Sequence, residues 1–426
     1  MRAETSGQRT LFMRDHAVLF GADWFSAERL RRIGLAWILA AAIAALFHLW
    51  SETRVGLTNG HGIPLGEDFI NFWSGAVMAA NGQAHAVYNF AAFHKFQLAV
   101  AGGPLELYHY SYPPVMLMIT WPLAFFPYTA ALVLWSMTGL AAMAFALRLV
   151  WRSSDAFLYV LAIPASFINL MDGQNGLWTA AILCAGLAWL PRRPAVSGAL
   201  FGLLLACKPQ LALLLPLALL AERNWRALCA MIGTAVLLGA ATIPLYGWEL
   251  WRAYGERVTI LRQAILENGN TWPYMPSAFI MVRHLPSSVA SAYAVQGLVT
   301  LVASALVVWM WSRRDRSQGT KNALLILCLL LASPYVQYYD LAVAALVPVM
   351  LLMDTREGDP KRRAIFIVAA VLLAAPAICS FLARSTGVAL GWLLLLPGIW
   401  VVLRQKPWAS DGAVPNFEDS LRSSTP

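Results

Sequence analysis

Apolar and polar positions alternate along this chain on the scale of whole helices. A first apolar run spans roughly Ile33 to Trp50, and others follow at about 113–126, 128–150, 154–171, 177–190, 195–207, 209–220, 227–246, 288–311, 322–336, 340–353, 364–382 and 387–403. A bilayer crossing needs roughly 20 apolar residues, so several of these runs are short. The run 113–126 opens on Pro113-Pro114 and reads as a partial or re-entrant helix, an element tolerated at membrane depth where it lines a protein cavity. The pattern predicts an all-α, polytopic transmembrane helical bundle of about 11–13 membrane helices.

Charge then orients the bundle. The clusters Arg148/Arg152, Arg192/Arg193, Arg223/Arg226, Arg313/Arg314/Arg316/Lys321, Arg356/Lys361/Arg362/Arg363 and Arg404/Lys406 fall at alternate connections, as cytoplasmic ends do. With 113–126 left out of the count, twelve crossings put both termini inside; counted as a crossing, it would move every later cluster to the wrong side. Residues 1–32 then form a cytoplasmic tail, 33–404 the membrane domain and 405–426 a second cytoplasmic tail. No short apolar stretch with a cleavage site precedes Ile33, so the first span is expected to stay as a signal anchor. The two long polar segments, 51–112 and 247–287, face the non-cytoplasmic side with the turns around Gln174, Lys208 and Tyr338.

Composition agrees: 59% of residues are hydrophobic, 12% are charged, and the 18 Trp could not all be wrapped into a soluble core. The net charge of +9 lies in the short basic connections and carries no nucleic-acid face. Cys184, Cys207, Cys229, Cys328 and Cys379 lie in apolar stretches without metal or redox spacing and read as small core residues.

Against this background the adjacent acids Glu67 and Asp68 are costly and therefore candidates for chemistry. After them Phe69, Phe72, Trp73, Ala76, Val77 and Ala80 repeat at helical spacing up to Asn81-Gly82, predicting an amphipathic helix on the outer interface. Asp68 would stand at its N-terminus, where it is either a cap or, at the mouth of an apolar cavity, a general base. Glu67 falls to a substrate-binding or charge-tuning role, and Asn71 and Tyr112 join the substrate-binding candidates. Lys208, at a Pro-broken turn between apolar runs, requires an anionic partner or a route to the headgroups; a lipid phosphate is the preferred partner. Gln174 and Asn175 are amides suited to sugar hydroxyls, or turn formers. Arg262 and Trp272 belong to an aromatic and basic segment that suits sugar and phosphate, or an interfacial belt. Tyr339-Asp340 orients substrate, pairs with an arginine, or caps a span. His48, His61, His85, His94 and His109 lack metal-site spacing, and no metal is expected.

Glu67-Asp68-Phe69, Trp73, Gly82, Val87-Tyr88, Tyr112-Pro113-Pro114, Pro122-Leu123 and Pro127 resemble the opening of the glycosyltransferase family 87 proteins, polytopic enzymes of the GT-C superfamily. Gly173-Gln174-Asn175-Gly176, Lys208-Pro209-Gln210, Arg223-Asn224-Trp225-Arg226, Ser333-Pro334 and Tyr339-Asp340 extend the resemblance over roughly residues 30 to 400. It implies a GT-C-like bundle and transfer of a hexose, mannose as the best guess, from a polyprenyl-phosphate donor to a glycolipid or glycan acceptor. It also implies an inner-membrane protein with its site facing the periplasm or cell exterior, and an acid of the first outer loop, here Asp68, as the base. Some relatives carry a His after the Ser-Pro motif, where this chain has Tyr335, Tyr338 and Tyr339. No cofactor is expected; some superfamily members use a divalent cation and others none. Nucleotide-binding motifs are missing, in keeping with a lipid-borne donor.

Two other classes fit the composition: a polytopic transporter or lipid or glycolipid flippase, and a non-catalytic lipid-binding assembly factor. A transporter commonly has repeated halves with broken helices at matching positions. This chain has no such internal repeat, and its polar residues crowd one side.

Overall fold

The computed structural model describes residues 27–269, 272–355, 359 and 361–405. These residues form a helical bundle without strands; only isolated bridges such as Val55 to Thr58 and Gly62 to Leu105 tie the first loop together. Most of both expected tails lies outside them. Five described helices are long and apolar enough to cross a membrane: Glu28–Ser51, Tyr128–Val150, Trp225–Tyr246, Val289–Trp311 and Lys361–Thr386. The first begins before the apolar run, because Ala27, Glu28, Arg29 and Leu30 are good helix formers and nothing there breaks the turn.

The remaining runs are shorter or broken, and the breaks have local causes. The run 154–171 splits into Asp155–Ala162 and Pro164–Met171, because Pro164 lacks an N–H and holds Ile163 in an extended conformation at ψ 131°. The run 113–126 becomes a seven-residue helix, Pro114–Thr120, followed by a 3-10 turn, Trp121–Phe125, too short to cross. Tyr338–Ala345 and Gly391–Leu395 are likewise 3-10 segments leading into short helices.

Burial is arranged for lipid. The first helix exposes Leu35, Leu39, Ile43, Leu46 and Phe47, and other long helices expose Val133, Leu237, Leu301 and Phe381, a surface tolerated in hydrocarbon and aggregation-prone in water. At the centre Gln318–Ala332 buries every residue from Thr320 to Ala332, as a helix apolar on all sides must. The helix Phe69–Ala80 forms where its periodicity predicts but is not an interface helix with one wet face. Nine of its twelve residues are buried, including Asn71, Ser74 and Gly75, because Pro114–Phe125 and Tyr128–Val150 close over it.

The two ends of the bundle differ chemically. Arg192 and Arg193 sit at the bend between Gly176–Trp189 and Pro194–Cys207, while the turn 172–175 and Lys208 lie at that hairpin's other end. Lys321 meets Glu222 at 3.2 Å and Ser317 meets Asp354 at 2.6 Å at the basic end, from which Gln318–Ala332 runs to Ser333 and the site.

The closest helix pairing is between Pro194–Cys207 and Trp225–Tyr246. Gly198 and Gly202 let the backbones meet: a Cβ there would stand 2.1 Å from the Ala227 carbonyl oxygen and 2.4 Å from that of Met231. This is small-residue packing at four-residue spacing, the usual glue of membrane helices. Gly198→Leu or Gly202→Leu is expected to destabilise the protein by on the order of 1–3 kcal/mol per site, read as a lower thermal midpoint in detergent; an unchanged midpoint would refute the close approach.

Candidate active site

The site is built from segments far apart in sequence. Gly66, at φ 71°, and Glu67, at φ 36°, make a turn in the left-handed region, and Glu67 pays steric strain there that glycine would not. The turn is held by Glu52, whose Oε2 accepts from the Gly66 N–H at 3.3 Å and lies 3.0 Å from His48 Nε2 as an ion pair when the imidazole is protonated. The turn 172–175 docks onto it. Gly173, at φ 56°, lies so close that a Cβ would meet Phe69 Cβ at 2.4 Å and the Gly66 carbonyl at 2.7 Å; one on Gly176 would meet the Tyr339 carbonyl at 2.5 Å. Those two glycines explain the Gly173-Gln174-Asn175-Gly176 motif: they are the contact points of three segments.

Asp68 occupies the N-cap position of Phe69–Ala80, yet its side chain makes no capping bond to the helix. Its carboxylate instead accepts from Gln174 Nε2 and, at 3.3 Å, from Asn71 Nδ2. Asn71 is itself held by Gln97, which donates to its Oδ1 at 3.0 Å. Gln174 is aligned in turn, its Oε1 accepting from the Tyr112 hydroxyl at 3.5 Å and the Asn175 N–H at 3.3 Å. Asn175 accepts from Lys208 Nζ at 2.7 Å, and Lys208 pairs with Asp340. Asp340 does double service, since its other oxygen caps the next segment by accepting from the Gln337 N–H at 3.1 Å.

Of the sequence candidates, Asp68, Asn71, Tyr112, Gln174, Asn175, Lys208, Tyr339 and Asp340 therefore meet in one network, with Glu67 beside it. Lys208 is 2% exposed and does not snorkel; its partner within the protein is Asp340, and the Tyr339 ring lies 5.0 Å from the ammonium. Arg262 is placed elsewhere, 3.6 Å from Glu267 in a π-turn. The Trp272 side chain lies outside the described residues. The structure adds groups that were not singled out as candidates: buried Asp172, which accepts from the Tyr338 hydroxyl, and the Glu52–His48 pair. Asp172 was visible only as a turn former before Gly173, and no local pattern distinguishes it from one.

Electrostatics separates the two neighbouring acids. Burial raises Asp68 to about 6, and the Gln174 hydrogen bond and the Lys208 charge hold it from rising further. Glu67 is pushed higher, to about 7, by burial and then by the charges of Asp68 and Glu52. Asp172 is also raised, chiefly by burial. Asp68 is thus the more readily ionised of the two, and the ionised form is the state a general base needs. Among the described residues no cluster of three or more His, Cys, Asp or Glu could hold a metal ion.

A multi-pass helical bundle with an oriented, ionised carboxylate and a buried cation at one end is the framework of a membrane enzyme. The profile of glycosyltransferase family 87 matches residues 110–334, more than half of the chain. The chain belongs to that family and is a glycosyltransferase. Neither a curated protein nor a solved structure matches it.

Two outcomes follow from the charge state of Asp68. The folded state holds its proton to higher pH than the unfolded chain, so Asp68 costs stability as pH rises from 3.8 through about 6. Asp68→Asn is expected to raise the thermal midpoint at pH 7 by a few degrees, with little gain at pH 4; a lower midpoint at pH 7 would contradict the burial argument. Gln174→Leu removes a bond that lowers the Asp68 pKa, so the acid limb of kcat/KM is expected to move to higher pH. A limb that stays in place or moves down would show that Gln174 does not set the charge state of a group the reaction depends on.

Proposed function

We propose that this enzyme moves a hexose, mannose in the favoured reading, from a polyprenyl-phosphate donor to a hydroxyl of a glycolipid or glycan acceptor. The proposed site faces the periplasm or cell exterior of an inner-membrane protein, with Asp68 as general base. The observation that carries the reading is the Asp68 carboxylate itself: partly exposed, free of the capping role its position offers, and aimed by Gln174 and Asn71.

In the step we envisage, Asp68 takes the proton of the acceptor hydroxyl as its oxygen forms a bond to the anomeric carbon. The bond from that carbon to the phosphate oxygen breaks, and the phosphate leaves with the electron pair. A phosphate is a good leaving group and needs charge stabilisation more than an acid. Lys208 suits this role: an ammonium has three N–H donors, and Asp340 and Asn175 account for two. Tyr112, Gln174, Asn175 and Tyr339 supply polar and aromatic surface for the sugar. A lipid-borne donor is favoured by the short basic connections at the opposite end, which leave no room for a nucleotide-binding domain. The apolar stripe of Phe126, Ala130, Val133, Leu134 and Met137 along one face of Tyr128–Val150, beginning at the site end, offers a surface on which a polyprenyl chain could lie. The orientation in the membrane follows from the charge asymmetry between the two ends.

Asp68→Asn is expected to lower transfer from a polyprenyl-phosphate sugar by roughly 10²–10⁴-fold in membranes containing the intact protein, while donor binding persists. Undiminished turnover would sink the assignment of the base. Lys208→Met should lower kcat and weaken the donor together, and a variant that binds donor as the parent does would remove the cation from the phosphate.

A further inference from the structure

One peptide bond at the active end is held by side chains on both sides. The carbonyl of Leu65 accepts from the Tyr128 hydroxyl at 2.6 Å, and the N–H of Gly66, in the same peptide unit, donates to Glu52 Oε2 at 3.3 Å. The chain then turns through Glu67 into Asp68. Whatever fixes this peptide plane fixes the start of the turn that carries the acid.

The plane needs holding. Gly66, at φ 71°, has no Cβ to restrict it, and rotation about Leu65 ψ and Gly66 φ would flip the peptide at little steric cost. The other bonds of the turn are local: the Glu67 N–H donates to the Pro64 carbonyl at 2.9 Å and the Phe69 N–H to that of Gly66 at 2.7 Å. Such bonds give the turn its shape and leave its direction open. Direction comes from outside, from the docked turn 172–175 on one side and from Glu52 and Tyr128 on the other.

Both side chains are placed for this task. Glu52 follows the last residue of the first helix and is 3% exposed, a costly site for a carboxylate to which the transfer step gives no part. Its bond to Gly66 spans 14 residues and ties the end of that helix to the turn. Tyr128 opens Tyr128–Val150, and its ring packs edge-on against Phe69 at 5.3 Å and Trp73 at 5.6 Å, on the helix that Asp68 precedes. It therefore touches the chain on both sides of the acid.

We propose that Glu52 and Tyr128 are positioning residues of the transfer reaction: they clamp the Leu65–Gly66 peptide plane from two helices and so set the direction of the Asp68 carboxylate, touching neither donor nor acceptor. This deepens the reading of Asp68 as the base and rests on it. Misplacing a catalytic group by about 1 Å can cost on the order of 100-fold in rate, so loosening a plane two residues from the base is felt in turnover before it is felt in binding.

Membranes carrying the full-length protein, supplied with labelled polyprenyl-phosphate mannose as the probe, give kcat and donor KM, and hydrogen exchange in phosphatidylcholine nanodiscs reads the clamp without turnover. Glu52→Leu is expected to lower kcat by about 10- to 100-fold with donor KM within about twofold of the parent, because the base is misaimed and the binding groups are not. Glu52→Gln keeps an oxygen for the Gly66 N–H and should hold kcat within about threefold; Tyr128→Phe, which loses one hydroxyl and keeps the ring, should lower it by about 3- to 30-fold. Exchange in the segment 62–69 should quicken by about tenfold in Glu52→Leu and Tyr128→Phe and stay as in the parent in Glu52→Gln. Parent kcat in both Glu52→Leu and Tyr128→Phe overturns the proposal, as does a donor KM that rises in step with the fall in kcat. Equal damage in Glu52→Gln and Glu52→Leu overturns it too, since charge and not the hydrogen bond would then matter. If Glu52→Leu fails to fold, Tyr128→Phe carries the test alone. Undiminished turnover in Asp68→Asn marks failure of the base, and with it of anything that aims it; an inactive Asp68→Asn beside a fully active Glu52→Leu and Tyr128→Phe marks failure of the clamp alone.

Discussion

The buried pair of Lys208 and Asp340 is the interaction on which the active end depends. Two charges removed from water cost several kcal/mol each and are kept only when well paired and further hydrogen-bonded. Here Asn175 and the Gln337 N–H supply those extra bonds, so each ion has a second partner inside the bundle. Through Asn175 and Gln174 the same pair fixes the turn that points at Asp68. Removing either ion would strand the other and loosen that turn, so the pair sets the geometry of the carboxylate without touching it.

The second requirement is close approach. Gly66, Gly173 and Gly176 sit where backbones touch, and a single added carbon at Gly173 or Gly176 would collide with a neighbouring segment. Glu67 is strained in the left-handed region, and burial is the first cause of the raised proton affinities of Glu67, Asp68 and Asp172. The fold accepts that cost because the large apolar core behind it, centred on Gln318–Ala332, supplies the stability.

Much of this was legible in the chain. Period and charge gave the bundle, and Pro113-Pro114 marked the short element that does not cross. The side assignment put Asp68, Gln174, Lys208 and Tyr339 at one end, where the structure gathers them. Local pattern misled where burial came from distant segments: Phe69–Ala80 reads as amphipathic by its own residues, and only the later helices that cover it make it a core element. Asp172 carried no spacing signal, since its meaning lies in the Tyr338 hydroxyl brought to it. Arg262 drew attention by composition, but Glu267, five residues on, is its partner.

The separation of Lys208 from Asp340 along the chain, 132 residues, has a consequence for biosynthesis. Synthesis runs from the N-terminus, so the lysine enters the membrane long before its carboxylate exists. Until then the ammonium cannot be buried at low cost and is held at the headgroups by its flexible stem. The turn 172–175 lacks its anchor for the same interval, leaving Asp68 unaimed. The Asp68 end of the bundle therefore cannot assemble before Tyr339-Asp340 is made, and a nascent chain that stops short of it has Asn71 and Gln174 for Asp68 but no anchored turn.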